Sequence, residues 1–192
     1  APGFVDRRGV TMTIIFLLEE RSMKEVLDCL LPKILPENVS FKTIPHSGKS
    51  DLQQSIPRKL KAWNVPETKF VIVQDQDSAD CVDLKNQLLD LARPAGRDVL
   101  VRIACRELES WYFGDLHAVS QAYGKDVRGL SEKKKYRIPD QIGNPKEELR
   151  KLFPQHQQIS GARKISPYMS IDANTSKSFQ CFVSGVRKLA AS

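Results

Sequence analysis

The alternation of short, wholly apolar runs with amphipathic segments between Thr13 and Ala104 constrains this fold more than any other feature of the chain. Thr13 to Leu18 (TIIFLL), Val39 to Ile44 (VSFKTI), Lys69 to Val73 (KFVIV) and Val99 to Ala104 (VLVRIA) are short and rich in β-branched and aromatic residues, as buried strands are. Between them, MKEVLDCLLPKIL, DLQQSIPRKLKAW and DCVDLKNQLLDLA repeat apolar residues at helical spacing. Ser22 with Glu25 predicts a capping box for the first helix, and Ser50 predicts the N-cap of the second. Pro32 and Pro57 predict bends. Parallel strands need crossover helices of this length, so the predicted class is α/β: a Rossmann-like parallel sheet of about four strands, flanked by helices. After Glu109 the pattern loosens. LESWYF, LHAVSQAY and SFQCFVSGVRKLA read as helices and residues 124 to 146 as loop, giving a helical and irregular extension that wraps the sheet.

A chain of 192 residues with 41% hydrophobic content can bury one core, so residues 12 to 192 read as a single domain, with core 12 to 115 and wrap 116 to 192. Residues 1 to 11, rich in Gly, Pro and charge before Met12, read as an added or disordered leader. No apolar run reaches the roughly 20 residues of a bilayer span, and no membrane partner is expected. Cys29, Cys81, Cys105 and Cys181 form no CxxC pair, which reads as buried reduced thiols and a cytoplasmic location.

Charge is segregated along the chain. Residues 128 to 192 hold 13 Lys and Arg against 5 Asp and Glu, whereas residues 1 to 127 hold 17 against 18. A basic C-terminal third suits a polyanion, so nucleic acid is the expected partner, with Lys133, Lys134, Lys135 and Arg163 as contacts.

Ligands of open parallel sheets bind beyond the carboxyl ends of the strands, and here those ends carry acids. Glu19 and Glu20 follow the first strand, Asp75 and Asp77 the third, and Glu107 and Glu109 the fourth. Crowded carboxylates repel one another, and a hard cation with oxygen ligands relieves the repulsion. Mg²⁺ or Mn²⁺ on Glu19, Asp75, Asp77 and Glu109 is therefore expected, with Glu20 and Glu107 as further ligands.

The acid after the first strand and Asp75-Gln76-Asp77 after a later one resemble the Toprim domain of topoisomerases, primases and the OLD nucleases. FLLEE, GKSDL, VIVQDQDSADCVDLK, RIACRELESWYFGDL, GARKISPYMSID and SFQCFVSGVRKL extend the likeness, over Met12 to Leu189, to small bacterial Toprim-like proteins of undefined function encoded beside AAA or ABC-type ATPases. The resemblance implies a Mg²⁺-dependent nuclease acting as effector of an ATPase-coupled phage-defence system. It implies Glu19 as general acid or base, and a basic residue of the C-terminal segment, Lys164 or else Arg163, at the scissile phosphate. Where the Toprim glutamate is often followed by Gly, this chain has Glu20, so either Glu19 or Glu20 can be the ligand.

Two other classes fit less of the sequence. A noncatalytic nucleic-acid-binding or sensor subunit would keep the fold and act through its partner. A phosphoacceptor receiver module would place a hydroxyl residue after the fourth strand, where Glu107 and Glu109 stand. Gly48-Lys49-Ser50 lacks the first glycine of a P-loop, since position 43 is Thr43, and leaves Lys49 at most a minor phosphate contact. Trp111, Tyr112 and Phe113 read as core. His46, His117 and His156 have no metal-ligand spacing and are given no catalytic role.

Overall fold

A computed structural model of the protein describes residues 9–192. The leader reading for residues 1–8 lies outside the described residues, while Thr11 donates its N–H to the Asn38 carbonyl at 2.9 Å. The elements run β1 (Met12–Leu18), α1 (Arg21–Ile34), β2 (Val39–Pro45), α2 (Lys49–Ala62), β3 (Thr68–Asp75), α3 (Cys81–Ala92) and β4 (Val99–Ala104). Five helices follow: α4 (Glu109–Phe113), α5 (Leu116–Tyr123), α6 (Pro145–Leu152), α7 (Gln158–Ile165) and α8 (Lys177–Ala191). The four strands pair in parallel in the order β2-β1-β3-β4, so the fold is α/β and Rossmann-like. No helix among the described residues is long and apolar enough to cross a membrane.

The order follows from the crossovers. β1 leads to β2 on one side, and β2 returns past β1 to β3 on the other, so α1 covers one face while α2 and α3 cover the opposite one. Alternation along β1 supplies both cores. Ile14, Phe16 and Leu18 pack with α1 and α8, whereas Ile15 and Leu17 pack with α2 and α3. The same split divides Val71 and Val73 from Phe70 and Ile72 on β3. Trp111 and Tyr112 are each 1% exposed, with Trp111 between Phe179 and Phe182 of α8, so α4 is an anchor in the core rather than a stacking platform.

Several local expectations are corrected. Glu20 is the N-cap of α1 and Ser22 lies inside the helix, donating to Glu20 Oε2 at 3.4 Å, so no capping box forms. Gly48 at φ 120° caps α2, which begins at Lys49 rather than after Ser50. β3 runs two residues beyond Val73, because Gln74 and Asp75 pair with Ile103 and Ala104; Asp75 is the strand's last residue. The thiols are free but not buried: Cys29, Cys81 and Cys105 are partly exposed and Cys181 is exposed. Segment 124–146 contains short 3-10 turns at Arg128–Glu132 and Pro139–Gln141.

Candidate metal centre

The strand order reverses between β1 and β3, and their carboxyl ends form the crevice where ligands of such sheets bind. Three contacts fix the end of β1. Glu19 donates its N–H to the Val73 carbonyl at 3.2 Å, the Glu19 carbonyl accepts from the Gly48 N–H at 3.0 Å, and the Leu18 carbonyl lies 2.8 Å from His46 Nδ1. Burial holds His46 below its usual pKa, and a neutral ring protonated at Nδ1 donates to Leu18. The histidine is thereby a strut under Glu19.

Glu19 Oε2 accepts the Asp75 backbone N–H at 2.7 Å, so a side chain continues the β1–β3 ladder where the β1 backbone turns away. Beyond Asp75, Gln76 and Asp77 donate to the carbonyls of Ala104 and Arg106 at 2.9 and 2.8 Å, which brings Glu107 and Glu109 alongside. One carboxylate oxygen each of Asp75, Glu107 and Glu109 lies within 4.8 Å of the others. Asp75 is 4% exposed and Glu109 2%, yet Asp75 Oδ1 and Glu109 Oε2 have no hydrogen-bond partner. Unpartnered buried carboxylate oxygens are costly unless something else supplies the missing donor or charge.

The electrostatics reflect this crowding. Burial, with the charges of Glu109 and Glu19, drives the Asp75 carboxyl well above its ordinary range. Burial pushes Glu109 up to about 7 against the pull of Lys146. Burial also pushes Glu19 up to about 7, opposed by the Asp75 N–H and reinforced by Glu20 and Asp77. A hard divalent cation fits this donor set: the donors are all oxygens, two of the three residues carry an unpartnered buried oxygen, and no histidine or cysteine belongs to the cluster.

The remaining expected ligands stand at the rim. Asp77, in left-handed backbone at φ 52°, turns its carboxylate to Lys49 and forms an ion pair there. Glu20 Oε2 accepts from Gln158 Nε2 at 3.3 Å, and its charge bears on Glu19, Asp75 and Glu109. Lys146, which the sequence reading passed over, lies 3.6 Å from Glu107 Oε2; burial works to lower its pKa, but Glu109, Glu20 and Glu107 together hold it above the usual value. Lys49 and Lys146 thus both face the carboxylates. Arg163 pairs with Glu25 of α1 at 2.8 Å, and Lys164 Nζ lies over the Tyr123 ring, 5.8 Å from its centroid. Lys164 follows Gln158 by six residues, about 9 Å further along α7 at 1.5 Å per residue.

A cleft of 330 Å³ opens beside the cluster, lined by Asp77, Ser78, Arg106, Glu107, Gly143 and Asn144. It shares the lining residue Gly143 with a groove of 710 Å³ whose walls include Lys134, Lys135, Arg137 and Ile138. Lys135 also pairs with Glu148 at 2.8 Å; Lys133 is exposed outside the groove lining.

The sequence model of a protein family described as Domain of unknown function (DUF4276) matches residues 18–187. No curated protein and no solved structure matches the chain.

Proposed function

Since the chain belongs to the DUF4276 family, whose description assigns no activity, its chemistry is read from its own residues, and we propose that it is a divalent-cation-dependent nuclease. The observation that carries this reading is the pair of unpartnered, buried oxygens, Asp75 Oδ1 and Glu109 Oε2, within one acidic cluster at the switch point of a parallel sheet. Asp75, Glu107 and Glu109 would hold Mg²⁺ or Mn²⁺, with Glu19 and Asp77 at its margin. When bound, such a cation neutralises phosphate charge and activates water.

The chain's own groups supply the rest. Glu19 keeps Oε1 available while Oε2 holds the Asp75 N–H, and a carboxyl with a pKa near 7 is suited to take or give a proton at neutral pH. Lys49 opens α2 beside the Glu19 backbone, where a helix N-terminus and an ammonium together favour a phosphate. Lys146 balances the acids before substrate arrives. The groove at Gly143 leads the polyanion from Lys134, Lys135 and Arg137 toward Glu107. The likeness to Toprim nucleases supports the same reading and adds a separate AAA or ABC-type ATPase as the partner that licenses cleavage in phage defence.

A noncatalytic nucleic-acid-binding subunit is the second reading, favoured by the basic groove lying next to the carboxylates rather than over them. The deciding experiment incubates the protein, alone and with its ATPase and ATP, with labelled DNA and RNA in Mg²⁺ or Mn²⁺. Cleavage by the wild type and not by Asp75→Asn supports the nuclease. Binding without cleavage in every combination, at cation concentrations shown to fill the site, leaves the binding subunit.

A further inference from the structure

We propose that Cys81 and Cys105 are a thiol–disulfide site, oxidised by a hydroperoxide to an intrachain bond that staples the start of α3 to the end of β4. Their sulfurs lie 3.9 Å apart across 24 residues of sequence. Disulfide formation closes that gap to about 2.05 Å, so the sulfurs approach by about 2 Å. The elements that carry them already pack together, with Leu84 and Leu88 of α3 sharing one core with Val101 and Ile103 of β4 and both cysteines packed against it, so no element has to unfold. An oxidant reaches them through a cavity of 420 Å³ lined by both cysteines, Lys85, Arg102, Lys177 and the exposed Cys181. Cys29 belongs to α1, on the opposite face of the sheet from α3, and is out of reach.

The chemistry is a two-electron oxidation. One thiol attacks the peroxide O–O bond, giving a sulfenic acid and water (or an alcohol, from an organic peroxide). The second thiol then displaces the hydroxyl group from the sulfenic sulfur, forming the S–S bond and releasing another water. Both protons and both electrons of the dithiol end in the reduced peroxide. The bond closes a loop whose two ends border the acidic cluster, with Asp77 four residues before Cys81 and Glu107 two residues after Cys105. It therefore tethers the backbone under Asp75 to that under Glu107 and Glu109.

The test treats the reduced, full-length protein with hydrogen peroxide, counts reactive thiols under denaturing conditions and maps peptides before and after dithiothreitol. The expected result is a fall from the chain's four thiols to two, a Cys81–Cys105 peptide, and full recovery on reduction. Cys29→Ser/Cys181→Ser should retain the bond, whereas Cys81→Ser, at a partly exposed helix start, should abolish it. Four thiols surviving excess peroxide, or oxidation confined to Cys181, would overturn the proposal, as would a link through Cys181. None of these readouts depends on cation binding.

Discussion

The Asp75 backbone N–H and Glu19 Oε2 meet at 2.7 Å, joining the end of β3 to the end of β1 through a carboxylate. The bond leaves Glu19 one oxygen for chemistry and gives it a fixed direction. It also binds the charge state of the site to the pairing of the sheet.

Replacing Asp75 by Asn, or Glu109 by Gln, should abolish Mn²⁺ binding, because a neutral amide is a poor ligand for a hard cation. The metal-free fold should be retained and its melting temperature should hold or rise, since each change removes charge that burial already opposes. Calorimetric titration alongside thermal unfolding checks both halves; unchanged affinity in both variants would sink the site.

The pH dependence has a definite sign. Glu19 and Glu109, with ordinary values of 4.5 raised to about 7, bind more protons folded than unfolded. Without cation, their stabilising effect is full below about pH 4.5 and is lost as pH rises to about 7. Cation affinity runs the other way, strengthening as pH rises, because the ligand carboxyls Asp75 and Glu109 must ionise to bind the cation. Denaturation midpoints and Mn²⁺ affinity measured from pH 5 to pH 8 on one sample, both lying flat, would contradict this.

Lys49→Ala should slow cleavage by about a hundredfold, the scale of one lost electrostatic stabiliser, with cation affinity nearly unchanged. Lys164→Ala, which removes an ammonium seated over Tyr123, should cost far less. Single-turnover rates of the two variants, compared under saturating cation, distinguish these roles, and equal losses would refute the assignment.

Changing Lys134, Lys135 and Arg137 to Gln should flatten the salt dependence of nucleic-acid binding by up to about 3 log units per log unit of salt, at roughly 0.9 per duplex phosphate contact. An unaltered slope would remove the groove from the binding path.

Gly114→Ala should destabilise the fold by about 1–3 kcal/mol, because the new methyl would overlap the Asn174 side chain and come 2.8 Å from the Ser176 backbone nitrogen. Asn174 Nδ2 donates to the Trp111 carbonyl at 2.9 Å, so the overlap disturbs the anchor of α4. Chemical denaturation measures it.

Strong apolar runs made the β core legible: β4 matches its expected span, while β1, β2 and β3 differ only at their ends. The extra length of β3 comes from its pairing with β4, a tertiary effect that no local pattern carries, and it moves Asp75 from a loop into the sheet. Glu107 reads from the sequence only as a further ligand, because spacing cannot show that the turn after β4 folds back onto Asp75. α6 was hidden by its polar sequence, PKEELRKL, although Pro145 at its first turn, Glu147 and Glu148 early, and Arg150 and Lys151 late are a helix signature; with it went Lys146. α7 was hidden by Gly161, which packs directly against the His156 ring.

The pairing of β4 with β3 is also the event that gathers the acids, since Glu107 and Glu109 join Asp75 only when that edge of the sheet closes. In an ionised chain, closing the last strand therefore works against mutual repulsion, and a divalent cation held by these acids would lower that barrier. Folding of this protein should accelerate with Mg²⁺ at alkaline pH, where the carboxylates are charged, and lose that acceleration when acid neutralises them.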